Sequence, residues 1–284
     1  MPNKLSPASW PAPAKLNLFL HVTGRRADGY HTLQTLFQFL DYGDELRFEI
    51  TGDGAIARAA PLAGVSEDAD LTLRAARALQ AASGTAKGAR IAFAKRLPIG
   101  GGLGGGSSDA AGTLLALNEL WGLHWPLAEL ARLGLGLGAD VPVFVHGRAA
   151  WAEGVGEVLT RAEPAESWYV VLIPPVSVPT ARVFAALELT GFTPAITIRD
   201  FHAGRTRNDL EPAVRRLYPE VDKTLVWLRR FGDARMSGSG GCVFLPVASP
   251  EAGRAILAQC PASLAGGFVA RGVNRHPLHR LLYD

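Results

Sequence analysis

Six glycines fall between Gly100 and Gly106 in the stretch LPIGGGLGGGSSDAAG, residues 97–112. A segment this bare is either a flexible linker or a cradle for an anion. The cradle reading rests on a strand, a glycine-rich turn and a helix start in succession. That succession aims several backbone N–H groups, and the positive end of a helix dipole, at one point. Context favours it. ARIAFA (89–94) reads as a strand running straight into the glycines, and Ala110, Leu114, Leu117 and Trp121 follow at helical spacings of four, three and four. Leu103, set between the glycines, has no use in a spacer. Glycine itself permits close backbone approach and positive φ.

Other phosphate-binding and catalytic motifs are excluded in turn. A Walker A loop ends in Gly-Lys-Ser/Thr, and no lysine follows the glycines. GxGxxG at Gly100, Gly102 and Gly105 arises from glycine density alone, and GxGxxA from Gly134 to Ala139 follows a helical stretch rather than a strand. Neither GxSxG nor HExxH occurs. His276 and His279 lack a nearby carboxylate or thiol and read as a surface pair rather than a metal site.

Three further groups carry chemistry. Lys15 and Asn17 share a face with Phe19 and His21 in the alternating stretch AKLNLFLHV (14–22), while Leu16, Leu18, Leu20 and Val22 form the dry face. Asp140 sits in apolar company in GADVPVF, so it needs a partner or a function; a helix cap or an ion pair is the plain alternative. Lys95 and Arg96 stand just before the glycines, either as phosphate-side cations or as solvated charges at a strand end. Ser107 and Ser108 offer hydroxyls to phosphate or Mg2+, or else cap the helix.

The elements needed to position these groups are legible. Strands are expected at 14–22, 45–50, 89–94 and 168–175, and a loop of small residues at 236–247 runs into another. Helices are expected at 71–82 with Asp70 as N-cap, from Ser108 or Asp109 onward, at 181–189, at 209–231, and after Ser249-Pro250. The polar stretch 161–167 suggests two domains, 1–163 and 164–284. The chain has 284 residues, 48% hydrophobic and 19% charged, with a net charge of +3. That suits a folded soluble protein and gives no polyanion-binding signature, because acids are interspersed among the arginines of 199–235. Two cysteines make no disulfide framework. The proline-rich start (Pro2, Pro7, Pro11, Pro13) lacks the apolar core of a signal peptide, and no apolar run reaches membrane-spanning length. A cytoplasmic protein without nucleic-acid or membrane partners is expected.

The glycine segment resembles the central motif of the GHMP kinases, the small-molecule kinases of galactose, homoserine, mevalonate and related alcohols. PAPAKLNLFLHVTGRRADGYHTLQTLFQFLDYGDEL, GADVPVFVHGRAAWAEGVGE and RMSGSGGCVF are similar to one branch. Its alcohol is a cytidine diphosphate derivative of methylerythritol, in the non-mevalonate isoprenoid route. The likeness spans nearly the whole chain. It implies a two-domain α/β (α+β) fold, with an N-terminal domain like domain 2 of ribosomal protein S5 and an α+β C-terminal domain. ATP, bringing Mg2+, would bind along Lys95, Pro98, Ile99, Gly100, Gly101, Gly102, Leu103, Gly104, Gly105, Gly106, Ser107 and Ser108. Lys15 and Asp140 would be catalytic. Asn17, Tyr30, His31, Thr180 and Phe184 would hold the substrate, with Tyr30 and Phe184 stacking on cytosine. Gly238 to Gly241 would line the side opposite the phosphates. Asp70 departs from the asparagine expected near adenine. The resemblance leaves monomer and homodimer open. Another GHMP kinase and a non-enzymatic nucleic-acid module of S5-like fold are the rival readings.

Overall fold

The computed structural model describes residues 9–62, 64–187 and 192–283. Strand β1 (Trp10–Arg25) and the 21-residue β2 (His31–Thr51) form a long antiparallel hairpin. After it come β3 (Ile56–Arg58), α1 (Leu71–Ser83), β4 (Gly88–Ala94), α2 (Gly105–Leu120), α3 (Leu127–Leu135) and α4 (Val141–His146). A second hairpin, β5 (Ala150–Glu153) and β6 (Val158–Arg161), leads to β7 (Trp168–Ile173), α5 (Thr180–Ala185), α6 (Ile198–His202), α7 (Glu211–Leu217) and α8 (Pro219–Leu228). The chain closes with β8 (Arg235–Met236), β9 (Val243–Val247), α9 (Pro250–Leu257), β10 (Gly266–Val273) and α10 (Pro277–Tyr283).

These strands join in one sheet, ordered β3-β4-β2-β10-β7-β9-β8, with β1 and β5 also paired to β2. β2 is buried without a break from Gln34 to Leu40 because both of its faces are covered there. Phe37, Phe39 and Leu46 face a core built with α1, α2 and α4, while Leu36 and Leu40 face a second layer with Tyr169, Val171 and Phe244. β10 ties the halves together: Gly272 and Val273 pair with Leu40 and Phe39, and Gly266–Arg271 pair with β7. A third core gathers Val170, Val214, Leu225 and Leu245 around α7 and α8, together with Leu20 and Val22 of β1. We keep 163/164 as the proposed division of the chain; α10 returns to the first core through Leu278.

Several expectations change for physical reasons. β1 begins at Trp10 despite Pro11 and Pro13, because it pairs only with β2 and can spare donors on its other edge. The expected run 209–231 splits at Tyr218-Pro219: Pro219 lacks an N–H, and Tyr218 is pushed out of the helical region (φ −134°, ψ 85°). Residues 188 and 189 of the expected 181–189 helix lie outside the described residues, as do Pro2 and Pro7. His276 and His279 are buried at 0% and 5% exposure, not a surface pair. Two of the three expected caps form: Asp70 Oδ1 accepts from the Thr72 N–H at 2.9 Å, and Ser249 Oγ from the Ala252 N–H at 3.2 Å.

Candidate active site

A cavity of about 1010 Å³ opens between the two halves, walled by β1, the glycine loop, the segment leading into α4, α5 and the loop after β8. The glycine loop does not flow into a capped helix at Ser108 or Asp109. α2 starts at Gly105, with Gly104 at φ +72° as its N-cap and no side chain bonded to the first N–H groups. The first-turn donors are therefore left for a ligand, the arrangement a phosphate needs. α2 is buried nearly all round between Ser108 and Asn118, so the cradle sits on a rigid element. The later loop clamps it from the other side. Ser237 Oγ donates to Gly102 O at 2.9 Å and Cys242 N to Gly101 O at 2.9 Å, so close that a Cβ on Gly102 would lie 2.2 Å from Ser237 O. Pro98 to Ser107 line the cavity, whereas Ser108 is buried behind them.

Lys15 Nζ stands 3.2 Å from Asp140 Oδ2. Asp140 occupies the N-cap position of α4, yet its side chain makes no capping bond. Lys15 also donates to Asn17 Oδ1, and its ammonium lies 5.2 Å from the Phe37 ring centroid. The alternation of β1 breaks just beyond. A β-bulge between Asn17 and Leu20 places one extra residue on β1. In consequence Lys15, Asn17 and Leu20 line the cavity, while Phe19 packs against Trp151 and Phe201. The face shared by all four residues 15, 17, 19 and 21 does not exist. His21 is buried, its Nε2 accepting from Arg207 N at 3.4 Å.

Lys95 lines the cavity as half of a charge cluster. Its ammonium donates to Asp44 and, at 2.6 Å, to Asp109 Oδ2. Burial opposes its charge, but the pull of Asp109 and Asp44 outweighs that and raises its pKa. Burial also pushes the Asp109 carboxyl up to about 7 against the opposing charge of Lys95. Asp44 further accepts from the backbone N–H groups of Arg96 (2.5 Å) and Leu97 (2.9 Å), fixing the segment that leads into the glycines. Asp70 lines the cavity while capping α1, with Arg58 Nη1 3.5 Å from its other oxygen.

Aromatic residues gather on another part of the cavity wall. The His31 and Phe184 rings stack at 5.3 Å and 24°, too close for a base to lie between them. Burial, and secondarily Arg25, lowers the His31 pKa, which favours the neutral ring. Tyr30 lines the same cavity at 67% exposure. Thr180 Oγ1 and Ser239 Oγ lie 2.6 Å apart, joining α5 to the late glycine loop.

The sequence reading passed over Asp44, Thr35, Asn208 and Ser237, and took Asp109 only as a cap. Asn208 Nδ2 holds the late loop through Met236 O (3.0 Å) and Gly238 O (2.8 Å). The one available signal was polar residue type inside apolar runs, as for Thr35 in TLQTLFQFL. The partners of such residues are remote in sequence.

Known proteins agree with this architecture. GHMP kinases N terminal domain matches residues 70–148, and GHMP kinases C terminal matches residues 194–266. The chain is 57% identical over 271 residues to 4-diphosphocytidyl-2-C-methyl-D-erythritol kinase of Thiobacillus denitrificans, covering 95% of this chain and 97% of that one. It is 55% identical over 278 residues to the protein of that name from Halorhodospira halophila, covering 97% and 96%. A crystal structure of 4-(cytidine 5'-diphospho)-2C-methyl-D-erythritol kinase superposes with a TM-score of 0.82 at 35% identity, covering 93% and 98% of the two chains. Homoserine kinase from Cytophaga hutchinsonii, at 18% identity, shares the fold with a TM-score of 0.69 over 98% of each chain. With its two-layered halves, its uncapped glycine cradle and full-length likeness above half identity, the chain belongs to the 4-diphosphocytidyl-2-C-methyl-D-erythritol kinase family of GHMP kinases.

Proposed function

We infer that the protein transfers the γ-phosphoryl group of ATP to the 2-hydroxyl of 4-diphosphocytidyl-2-C-methyl-D-erythritol, a step in the non-mevalonate route to isoprenoid precursors. The observation that carries this reading is the Lys15–Asp140 pair, sharing one cavity with the uncapped start of α2 and the aromatic cluster. The nucleotide phosphates take the first N–H groups of α2, and Lys95 flanks them. The cytosine end meets Tyr30, His31 and Phe184, with Thr180 beside it. Asn17 and the late glycine loop border the alcohol.

Transfer then needs in-line placement and charge stabilisation more than covalent help. The alcohol oxygen forms a bond to the γ-phosphorus as the bond to the bridging oxygen of ADP breaks. Asp140 takes the hydroxyl proton, and Lys15 presents its positive charge to the phosphoryl group. Mg2+ carried on the nucleotide suits this wall. Asp109 lines it with Oδ1 free of any protein partner, and Mg2+ takes hard oxygen ligands of this kind. With Ser107 it would hold the ion, which would neutralise phosphate charge.

We place this activity in the cytoplasm, in a monomer or homodimer. No helix among the described residues is long and apolar enough to cross a membrane. A coupled ADP-release assay offering the cytidine diphosphate substrate, mevalonate and homoserine in parallel tests the reading. Turnover confined to the cytidine substrate is expected; preference for another alcohol overturns it.

A further inference from the structure

The contact between Lys15 and Asn17 has its cause one layer further out. Asn17 Oδ1 accepts from Lys15 Nζ, and Asn17 Nδ2 donates to Thr35 Oγ1 at 2.9 Å. The two ends of a carboxamide have nearly the same size and shape, so packing alone does not choose between them. Thr35 chooses. Its single hydroxyl proton goes to the backbone carbonyl of Phe19, a group that only accepts. The Thr35 oxygen is left as an acceptor, so the NH2 end of Asn17 must face it and the oxygen end must face Lys15. The bulge between Asn17 and Leu20 is what brings the Phe19 carbonyl to Thr35 instead of a regular ladder position.

Each member of the chain is buried: Lys15 and Asn17 at 3% exposure, Thr35 and Phe19 at 1%. Little of these side chains reaches solvent, so water competes weakly for their partners and the direction of the chain is held. A reversed Asn17 would set two donor groups against each other and drive the ammonium from its place 3.2 Å from Asp140. We propose that Thr35 is a positioning residue of this kinase, fixing the orientation of the Asn17 amide and through it the seat of the Lys15 ammonium against Asp140. The proposal rests on the kinase reading above.

Thr35→Val keeps the branched shape and deletes the hydroxyl. Losing one oriented hydrogen bond should lower kcat roughly 5- to 10-fold, with the KM for ATP unchanged. Thr35→Ser should recover most of that loss. In an Asn17→Ala background, Thr35→Val should add little, because the chain is already cut. A merely structural threonine would lower the unfolding midpoint and leave kcat alone. Wild-type kcat in Thr35→Val, or an equal fold-loss in both backgrounds, overturns the proposal. Thr35→Ala against Thr35→Ser gives the same comparison if the valine variant does not fold. Failure of the wild type to phosphorylate the cytidine substrate counts against the kinase reading alone. The chain is then read by NMR, through the Asn17 side-chain NH2 pair identified by its loss in Asn17→Ala. Slow hydrogen exchange in the wild type and fast exchange in Thr35→Val support the proposal; equal exchange overturns it.

Discussion

Lys15 and Asp140 meet at 3.2 Å from opposite situations, the lysine side chain 4% exposed and the aspartate 32%. The acid stands toward the cavity and the lysine behind it. On the proposed mechanism an incoming hydroxyl would reach the carboxylate first, with the ammonium close enough to support the phosphoryl charge.

That order makes Asp140 the residue whose charge matters most. Asp140→Asn keeps shape and hydrogen bonding, and should lower kcat by about 10²–10⁴ with ATP affinity retained. Lys15→Met should cost a comparable factor. The double variant should lose less than the product of the two, since the residues act as a unit. Steady-state kinetics and nucleotide titration on the three proteins check this. Near-normal turnover by Asp140→Asn would leave the acid a structural role only.

Gly104→Val strikes the cradle and Lys15 together. Gly104 sits at φ +72°, and a Cβ there would lie 3.0 Å from Lys15 Cε and 3.0 Å from Phe144 Cζ. Strain at the N-cap displaces the first-turn N–H groups, so ATP affinity should fall steeply and kcat with it. Calorimetric titration with ATP, beside a circular dichroism check of folding, reads the outcome. A folded variant with unaltered affinity contradicts the cradle.

Tyr30→Ala and Phe184→Ala test the proposed cytidine end separately from the nucleotide end. Stacking on a base is worth roughly 1–3 kcal/mol per aromatic, so each should raise the substrate KM while the KM for ATP holds. Phe184 also packs against the third core, so its variant should unfold earlier, whereas the exposed Tyr30 should leave stability unchanged. Equal losses for both substrates would make the rings packing residues.

Acid should destabilise the protein through His276 and His279, two of its buried histidines. Burial, then His279, lowers the His276 pKa well below 6.5, and burial lowers that of His279 to about 4. Between those values the unfolded chain takes up protons that the folded chain refuses. Stability is thus full above about pH 6.5 and falls as pH drops toward 4. His276 Nδ1 accepts from Leu278 N at 3.1 Å at the start of α10. His276→Asn can keep that acceptor, and should flatten the slope of unfolding free energy against pH whatever its cost at pH 7. Denaturant titrations at several pH values measure the slope, and parallel wild-type and variant curves refute the assignment.

By itself the sequence determined the chemistry-bearing segments and much of the local structure. Glycine density before an apolar helical run, Asp70 and Ser249 as caps, the alternation around Lys15 and the isolation of Asp140 are all short-range features, set by backbone sterics, period and residue type. What only the tertiary structure decided depends on remote pairing. The bulge that turns Phe19 away from the cavity arises from the register of β1 on β2 and the demand of the third core for Leu20 and Val22. Asp44 reaches Lys95, and Thr35 reaches Asn17, across strands that no local pattern aligns. The histidines read as a surface pair because no carboxylate or thiol stands near them in the sequence. Their burial follows from α10 folding back onto the first core, whose apolar surface needs covering and which the last segment of the chain is placed to cover.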